Sequence, residues 1–551
     1  MRRIVWLLLV LMLGAGAAAA QDSAKPRRAV AGEACPVALP DWASAPEKFA
    51  WEQICAGNVA DMQYSTGVDD EAGCDALKED QPWPDSRVLS SRFIRLIAAR
   101  DPYISAPARP AVRVRCARFQ EQVRLNEEEV PQSLWLDGSR LPKGISLYGS
   151  RFGRDLSLDG STLGEAGLDA HTMSVAGSLY LRNGVFGGAQ LIGASVGGNL
   201  EAGGSRFTGP FHADRLTVGG NVHLRDKAEF AGVDLLGASV GGDLAAIGSR
   251  FTGLFIADDL TVGGDVFLRD EAEFAEVRLL GASVGGVVQM QGSTFAGPVD
   301  MTGLAAEELA LWQGAGSTVN WGKDATLKLR NAHVAALQAR IPESWVRADG
   351  TPLPLDLQGF RYDRLGGVGS GAEGDLGRIG DAAPLIAWIE TAGDSGGQAA
   401  GHAPQPYFQM ESVLRAMGAG PAADEVAYAR HLHRMDHYGN TLQDWIAWAG
   451  EWVWRLLAGF GVYPFRLLWW FAALVVLGTI LGRRTGALCT QGWSGCFWYS
   501  LENAFPLMEP GRRNRDLFHD HPAVRSFFHF QKIAGFVLGT ILVGTLTLLG
   551  N

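Results

Sequence analysis

Between residues 134 and 311 the apolar positions keep a strict frame. Ser195-Val196-Gly197-Gly198-Asn199-Leu200 recurs at 217–222, 239–244, 261–266 and 283–288, a step of 22 residues each time. A degenerate copy, Ser174 to Leu179, lies 21 residues before the first. Longer matches step by 44: LIGASVGGNL at 191, LLGASVGGDL at 235 and LLGASVGGVV at 279. A fixed period of this length marks stacked repeats. Inside each repeat apolar and polar residues alternate, as short strands require. Three interior ladders are expected. Val196, Val218, Val240, Val262 and Val284 make one; Leu200, Val222, Leu244, Val266 and Val288 a second; Phe207, Phe230, Phe251, Phe274 and Phe295 a third. The glycine pair marks a corner that needs either a positive φ or no side chain. A helix would lose about 1 kcal/mol at each glycine. The pattern therefore predicts a mainly-β chain: a right-handed parallel β-helix of 22-residue coils over 131–311. That is about eight coils, enough for a continuous core.

The period changes on both sides of this block. Residues 1–20 carry Arg2 and Arg3, an apolar run from Ile4 to Leu13, and Ala18-Ala19-Ala20, the pattern of a secretory signal cut before Gln21. An uncleaved anchor is the rival reading, and both export the chain beyond residue 20. Residues 21–130 are expected to cap the solenoid, with helical spacing in SSRFIRLIAAR (90–100) and a solvated charge run at Glu127–Glu129. Residues 312–365 look like closing strands, and 366–403 read as a glycine-rich linker. A helix–turn–helix is expected over 404–440, and then a tryptophan-rich amphipathic, interfacial helix over 441–462. Residues 463–482 and 533–550 are each apolar enough to cross a bilayer. The loop between them, 483–532, carries Arg483, Arg484, Arg512, Arg513, Arg515, Arg525 and Lys532. The positive-inside rule places such a loop in the cytoplasm, leaving the solenoid outside.

Composition sharpens this. Glycine accounts for 71 of 551 residues without a Gly-x-y period, which excludes collagen and points to repeated tight turns. The net charge of −11, with no clustered cations, argues against a nucleic-acid partner. Cys35, Cys55, Cys74 and Cys116 all fall in the exported cap. Two disulfides are expected there, with three pairings open. Cys489 and Cys496 fall in the cytoplasmic loop and are expected as thiols without metal-ligand spacing.

Candidate chemistry is sparse. Gly369-Ser-Gly371-Ala-Glu-Gly374 matches a dinucleotide pattern but lacks the strand–helix flanks that give it meaning. His433 and His437 share a helix face at i and i+4 and are the candidate metal ligands, with His431 beside them. His519, His521 and His529 lie at the other membrane side, and neither span holds a histidine for a haem. Residues 497–507 (FWYSLENAFPL) are expected as an interfacial helix; a re-entrant channel segment is the alternative, although no T-V-G-Y-G filter is present. Asn199, Asn221, Asp243 and Asp265 form a polar ladder suited to satisfying corner backbone groups. Aligned carboxylates of this kind also bind ions or polysaccharide in pectin-cleaving β-helices. No catalytic residue and no cofactor is assigned.

The block order, SVGGDL repeats, LDLQGFRYDRL (355–365), PQPYFQMESVLRAMG (404–418) and FHFQKIAGFVLGTILVGTLTLLG (528–550), resembles a bacterial family of membrane-anchored pentapeptide-like repeat proteins. Its members are often labelled "membrane-associated oxidoreductase". The resemblance implies such an activity, but no redox motif here carries it. The repeats are also similar to those of bactofilins, from which the cysteine-containing cap and export signal depart. The resulting expectation is a non-enzymatic periplasmic scaffold or docking protein tethered to the bacterial inner membrane. Its partners would be membrane lipids, a protein on the β-helix surface, and further copies of itself. A membrane-associated oxidoreductase or a two-span oligomeric channel-like protein are the alternatives.

Overall fold

The computed structural model describes residues 35–67, 73–77, 82–313, 317–341, 343–366, 382–393, 404–484, 492–505 and 522–549. Residues 1–20, the 369–374 pattern, Cys489, His519 and His521 lie outside them. The chain divides into two compact units, one running to Leu309 with 319–325, the other comprising 310–318 and 326 onward.

The first unit is a parallel β-solenoid of about nine turns. Its pairing matches the repeat: Val196 sits beside Val218, Val218 beside Val240, Val240 beside Val262, and Val262 beside Val284. Parallel pairing already begins in the cap: Ala60–Asp61 pairs with Val114–Arg115, and Ala111–Arg115 with Ser133–Asp137, one turn ahead of Leu134. The phenylalanine ladder is longer than the repeat motif suggests. Phe186, Phe207, Phe230, Phe251, Phe274 and Phe295 stack with centroids 4.8, 5.0, 5.1, 4.8 and 5.1 Å apart. That is the spacing of neighbouring strands, so backbone pairing and ring stacking are satisfied together. Trp321 closes the stack against Phe295 at 5.4 Å.

The Gly-Gly corners are explained by close approach. None of the glycines of the S/T-V-G-G motif has a positive φ. A Cβ on Gly219 would lie against the Gly197 carbonyl, and one on Gly220 against the Asn199 side chain, both closer than real Cβ contacts occur. Beside this corner the polar ladder performs the backbone role expected of it. Asn199 Oδ1 accepts from the Asn221 amide at 2.9 Å, Asn221 Oδ1 from Asp243 at 2.8 Å, Asp243 from Asp265 at 2.9 Å, and Asp265 from Val287 at 2.8 Å.

The N-terminal cap carries helices α1 (Ala45–Cys55) and α2 (Ser91–Ala99). Ser44 and Glu47 form a capping box at α1, and Glu47 also accepts from Ser90, the N-cap of α2. Disulfides join Cys35 to Cys55 and Cys74 to Cys116. Within the charge run 127–129, Glu128 is not solvated. It is buried and ion-paired with Arg95 and Arg100. Burial alone would raise its carboxyl, but hydrogen bonds from Arg100 and Arg95 hold it below the usual range.

In the second unit, the strands at 327–328 and 333–338 pair in parallel with those at 355–356 and 361–365. Helix α3 (Ala383–Gly393) occupies part of the stretch expected as linker, burying Leu385, Trp388 and Ile389. Averaging glycine over 366–403 hid this apolar run. Helix α4 (Gln405–Ala416) closes an open strand edge: Gln405 and Gln409 donate to the carbonyls of Phe360 and Tyr362 at 3.1 and 2.6 Å. Helix α5 (Gly420–Asp436) completes the helix pair expected over 404–440.

Candidate functional site in the membrane helices

Helix α6 (Leu442–Ala458) starts at a Thr441–Asp444 capping box and ends at Gly459, whose φ is 55°. Its outer face, Trp445, Trp448, Trp452 and Leu456, is exposed, as an interfacial helix requires. Phe460 does not share that face. It is buried, with its ring parallel to His431 at 4.7 Å. Helices α7 (Arg466–Arg484) and α9 (Pro522–Leu549) are long and apolar enough to cross a membrane. Their outward side chains are large and apolar; Trp469 is 78% exposed, and Ile533 and Phe536 are exposed too.

Between them in the chain lies α8 (Trp493–Ala504), which overlaps the 497–507 stretch expected at the interface but starts four residues earlier. Ser500 Oγ donates to the Val475 carbonyl of α7 at 2.8 Å. Gln531 of α9 donates through Nε2 to Ser500 Oγ (2.7 Å), Leu474 O (3.1 Å) and Ser500 O (3.2 Å). Asn503 Nδ2 donates to the Phe528 carbonyl at 2.8 Å. Ser500 and Gln531 are fully buried, so these bonds form away from water, where unmade ones are costly. Gly478 and Gly535 make room: a Cβ on Gly478 would strike Ser500 and Gln531, and one on Gly535 the Ala504 carbonyl. At the other end of α8 the Arg483 guanidinium lies 5.9 Å from the Trp493 ring centroid. Cys496, expected as a thiol, is disulfide-bonded, with a partner outside the described residues.

The histidines separate. His433 and His437 lie 4.3 Å apart ring to ring, as their spacing requires. His437 Nδ1 contacts the His433 carbonyl at 2.7 Å, and among the described residues the pair belongs to no group of three metal-ligating side chains. His431 faces elsewhere, beside Arg434 and Glu451. Burial, then Arg430 and Arg434, push it down to about 4, so it is neutral at pH 7.

Sequence reading missed one cluster on the solenoid. His212, Asp214 and Asp234 bring three ligand atoms within 4.8 Å, because Asp234 stands one coil from His212. Burial, then the charge of Asp234, raise the Asp214 carboxyl. In the second unit a shallow apolar crevice is lined by Leu357, Trp388 and Ile389, with Gln409, and has no room for a water molecule, let alone a ligand. No protein-family model, curated protein or solved structure matches the chain.

Proposed function

We propose that the chain is an envelope protein: a periplasmic β-solenoid that serves as a scaffold or docking surface, tethered to the bacterial inner membrane by its C-terminal helices. The observation that carries this reading is a solenoid of about nine turns in the same chain as two helices of membrane-spanning length. A solenoid presents a long, regular side surface built for contacts rather than an enclosed cavity. On one side of this one, charges alternate from coil to coil: Arg206 pairs with Glu229 at 2.6 Å and Arg250 with Glu273 at 3.1 Å. The two cap disulfides and the signal-like N-terminus favour export. The arginines after α7 favour a cytoplasmic loop, whereas a bonded Cys496 favours the opposite side. The proposal rests on the first two signals, which agree with each other.

Protease added to intact spheroplasts tests it. The solenoid should be cut from outside without detergent, while a tag inserted in the 485–491 loop stays protected. A solenoid cut only after lysis would refute export. A purified protein with a dithionite-responsive chromophore near one per chain would refute the scaffold role.

A further inference from the structure

Residues 211–220 and 233–242 recur 44 residues later as 255–264 and 277–286. FHADRLTVGG becomes FIADDLTVGG, and VDLLGASVGG becomes VRLLGASVGG. Three positions differ: Ile256 stands for His212, Asp259 for Arg215, and Arg278 for Asp234. Two of the three belong to the His212–Asp214–Asp234 cluster. The chain thus holds a second copy of this corner, with the same acid at Asp258 and different chemistry around it.

In the later copy the protein satisfies the acid itself. Asp258 Oδ2 pairs with the Arg278 guanidinium, and Oδ1 accepts from the Leu280 amide at 3.1 Å. In the earlier copy a carboxylate stands where the guanidinium would be. The equivalent amide, Leu236, donates to Asp234 Oδ1 instead, at 3.1 Å. Asp214 Oδ1 is left buried and without a hydrogen-bond partner among the described residues. Arg215 is exposed and forms an ion pair with neither acid. Two carboxylates in contact need a cation or a shared proton between them. His212 favours the cation. Its ring nitrogen and one oxygen from each acid lie within 4.8 Å of one another. His212 and Asp214 are two residues apart and project to one face, and Asp234 is the register partner of His212 in the next coil. One imidazole and two carboxylates form a ligand set that suits zinc, with a fourth position open. Magnesium and calcium favour oxygen alone and would not use the imidazole.

We propose that His212, Asp214 and Asp234 bind one divalent transition-metal ion of the zinc class. The ion bridges adjacent coils here, as the Arg278 guanidinium bridges them in the later copy. Its open position is left for water or for a ligand from a partner on the solenoid surface. This goes beyond the scaffold reading and does not depend on which side of the membrane the solenoid faces.

The test titrates zinc chloride into the full-length protein, stripped with a chelator and held in mild detergent, and reads heat and retained metal per chain. The wild-type protein should bind a zinc ion that H212I/D234R does not. That double variant rewrites the corner as its later copy, a pairing this solenoid already accommodates. H212Q keeps the size and polarity of the side chain and should weaken zinc binding at least about tenfold, so the proposal stays testable should the double variant fail to fold. H433A/H437A should retain the ion. Equal zinc binding by the wild type and H212I/D234R, with unchanged circular dichroism, would overturn the site. Loss of the ion in H433A/H437A alone would move it to the helical pair and overturn the assignment. No zinc bound by the wild-type protein would overturn it as well, and leave a proton shared by Asp214 and Asp234.

Discussion

The corner ladder can be separated from packing by two changes at one residue. Asn221 Oδ1 accepts the Asp243 amide at 2.8 Å, and the Asn221 amide donates to Asn199. Asn221→Ala keeps the second bond and removes the first. The Asp243 N–H is then left beneath the next coil, where an unsatisfied donor costs about 1–3 kcal/mol. The site is only partly buried, so the lower half, about 1–2 kcal/mol, is expected. Asn221→Asp restores an acceptor of the same shape. The repeat itself makes that exchange, carrying Asn at 199 and 221 but Asp at 243 and 265. Hydrogen–deuterium exchange on a peptide covering 236–246 reads the difference. Asn221→Ala should speed exchange at Asp243 by roughly 5- to 30-fold, since 1.4 kcal/mol is about tenfold. Asn221→Asp should leave it within about twofold. Equal exchange in both variants would refute the capping role and reopen ion or polysaccharide binding by the ladder.

Two partly buried groups set pH effects of opposite sign. Burial raises Asp137 to about 6 although Ser157 donates to it at 2.6 Å, so its folded state holds the proton more tightly than an unfolded chain near 3.8. Stability should fall as pH rises from about 4 to 6, by up to ~3 kcal/mol at 1.36 kcal/mol per unit; Asp137→Asn should abolish that fall in urea titrations at pH 4 and 7. His431 runs the other way: with about 4 folded against 6.5 unfolded, stability is full above 6.5 and is lost as pH drops towards 4. The loss should approach ~3 kcal/mol and vanish in His431→Asn, read by the fluorescence of the neighbouring α6 tryptophans. The Cys74–Cys116 bond closes a loop of 42 residues, worth roughly 4 kcal/mol on the chain-entropy account. C74S/C116S should lower the thermal midpoint of the cap, and an unchanged midpoint would argue against that bond.

What could be read from the chain was what the period repeats. Val196 and Leu200 recur every 22 residues, and Phe207 in steps of 21 or 23, because each faces its own copy in the next coil, so the interior is visible without a structure. The alternation of Arg206, Glu229, Arg250 and Glu273 ahead of the phenylalanines is equally visible in the sequence and has the same two-coil period of 44 as the longest matches. Phe186 escaped because its repeat is degenerate, although its ring stacks as well as the others. His212 and Asp234 are register partners, yet nothing repeats their chemistry in the coils beyond. The packing of α8 against α7 and α9 was hidden for a different reason. Ser500 finds Val475 25 residues back and Gln531 31 residues on, with no period linking them. Composition alone makes α8 an amphipathic surface helix; its packing between α7 and α9 is decided by a single buried amide, Gln531, with Gly478 opposite it and Gly535 against Ala504. A lone Gln531 with Gly478 and Gly535 is thus the local signature to seek. In hydrocarbon an amide with no partner is disfavoured, and a small residue opposite it shows where the partner backbone enters.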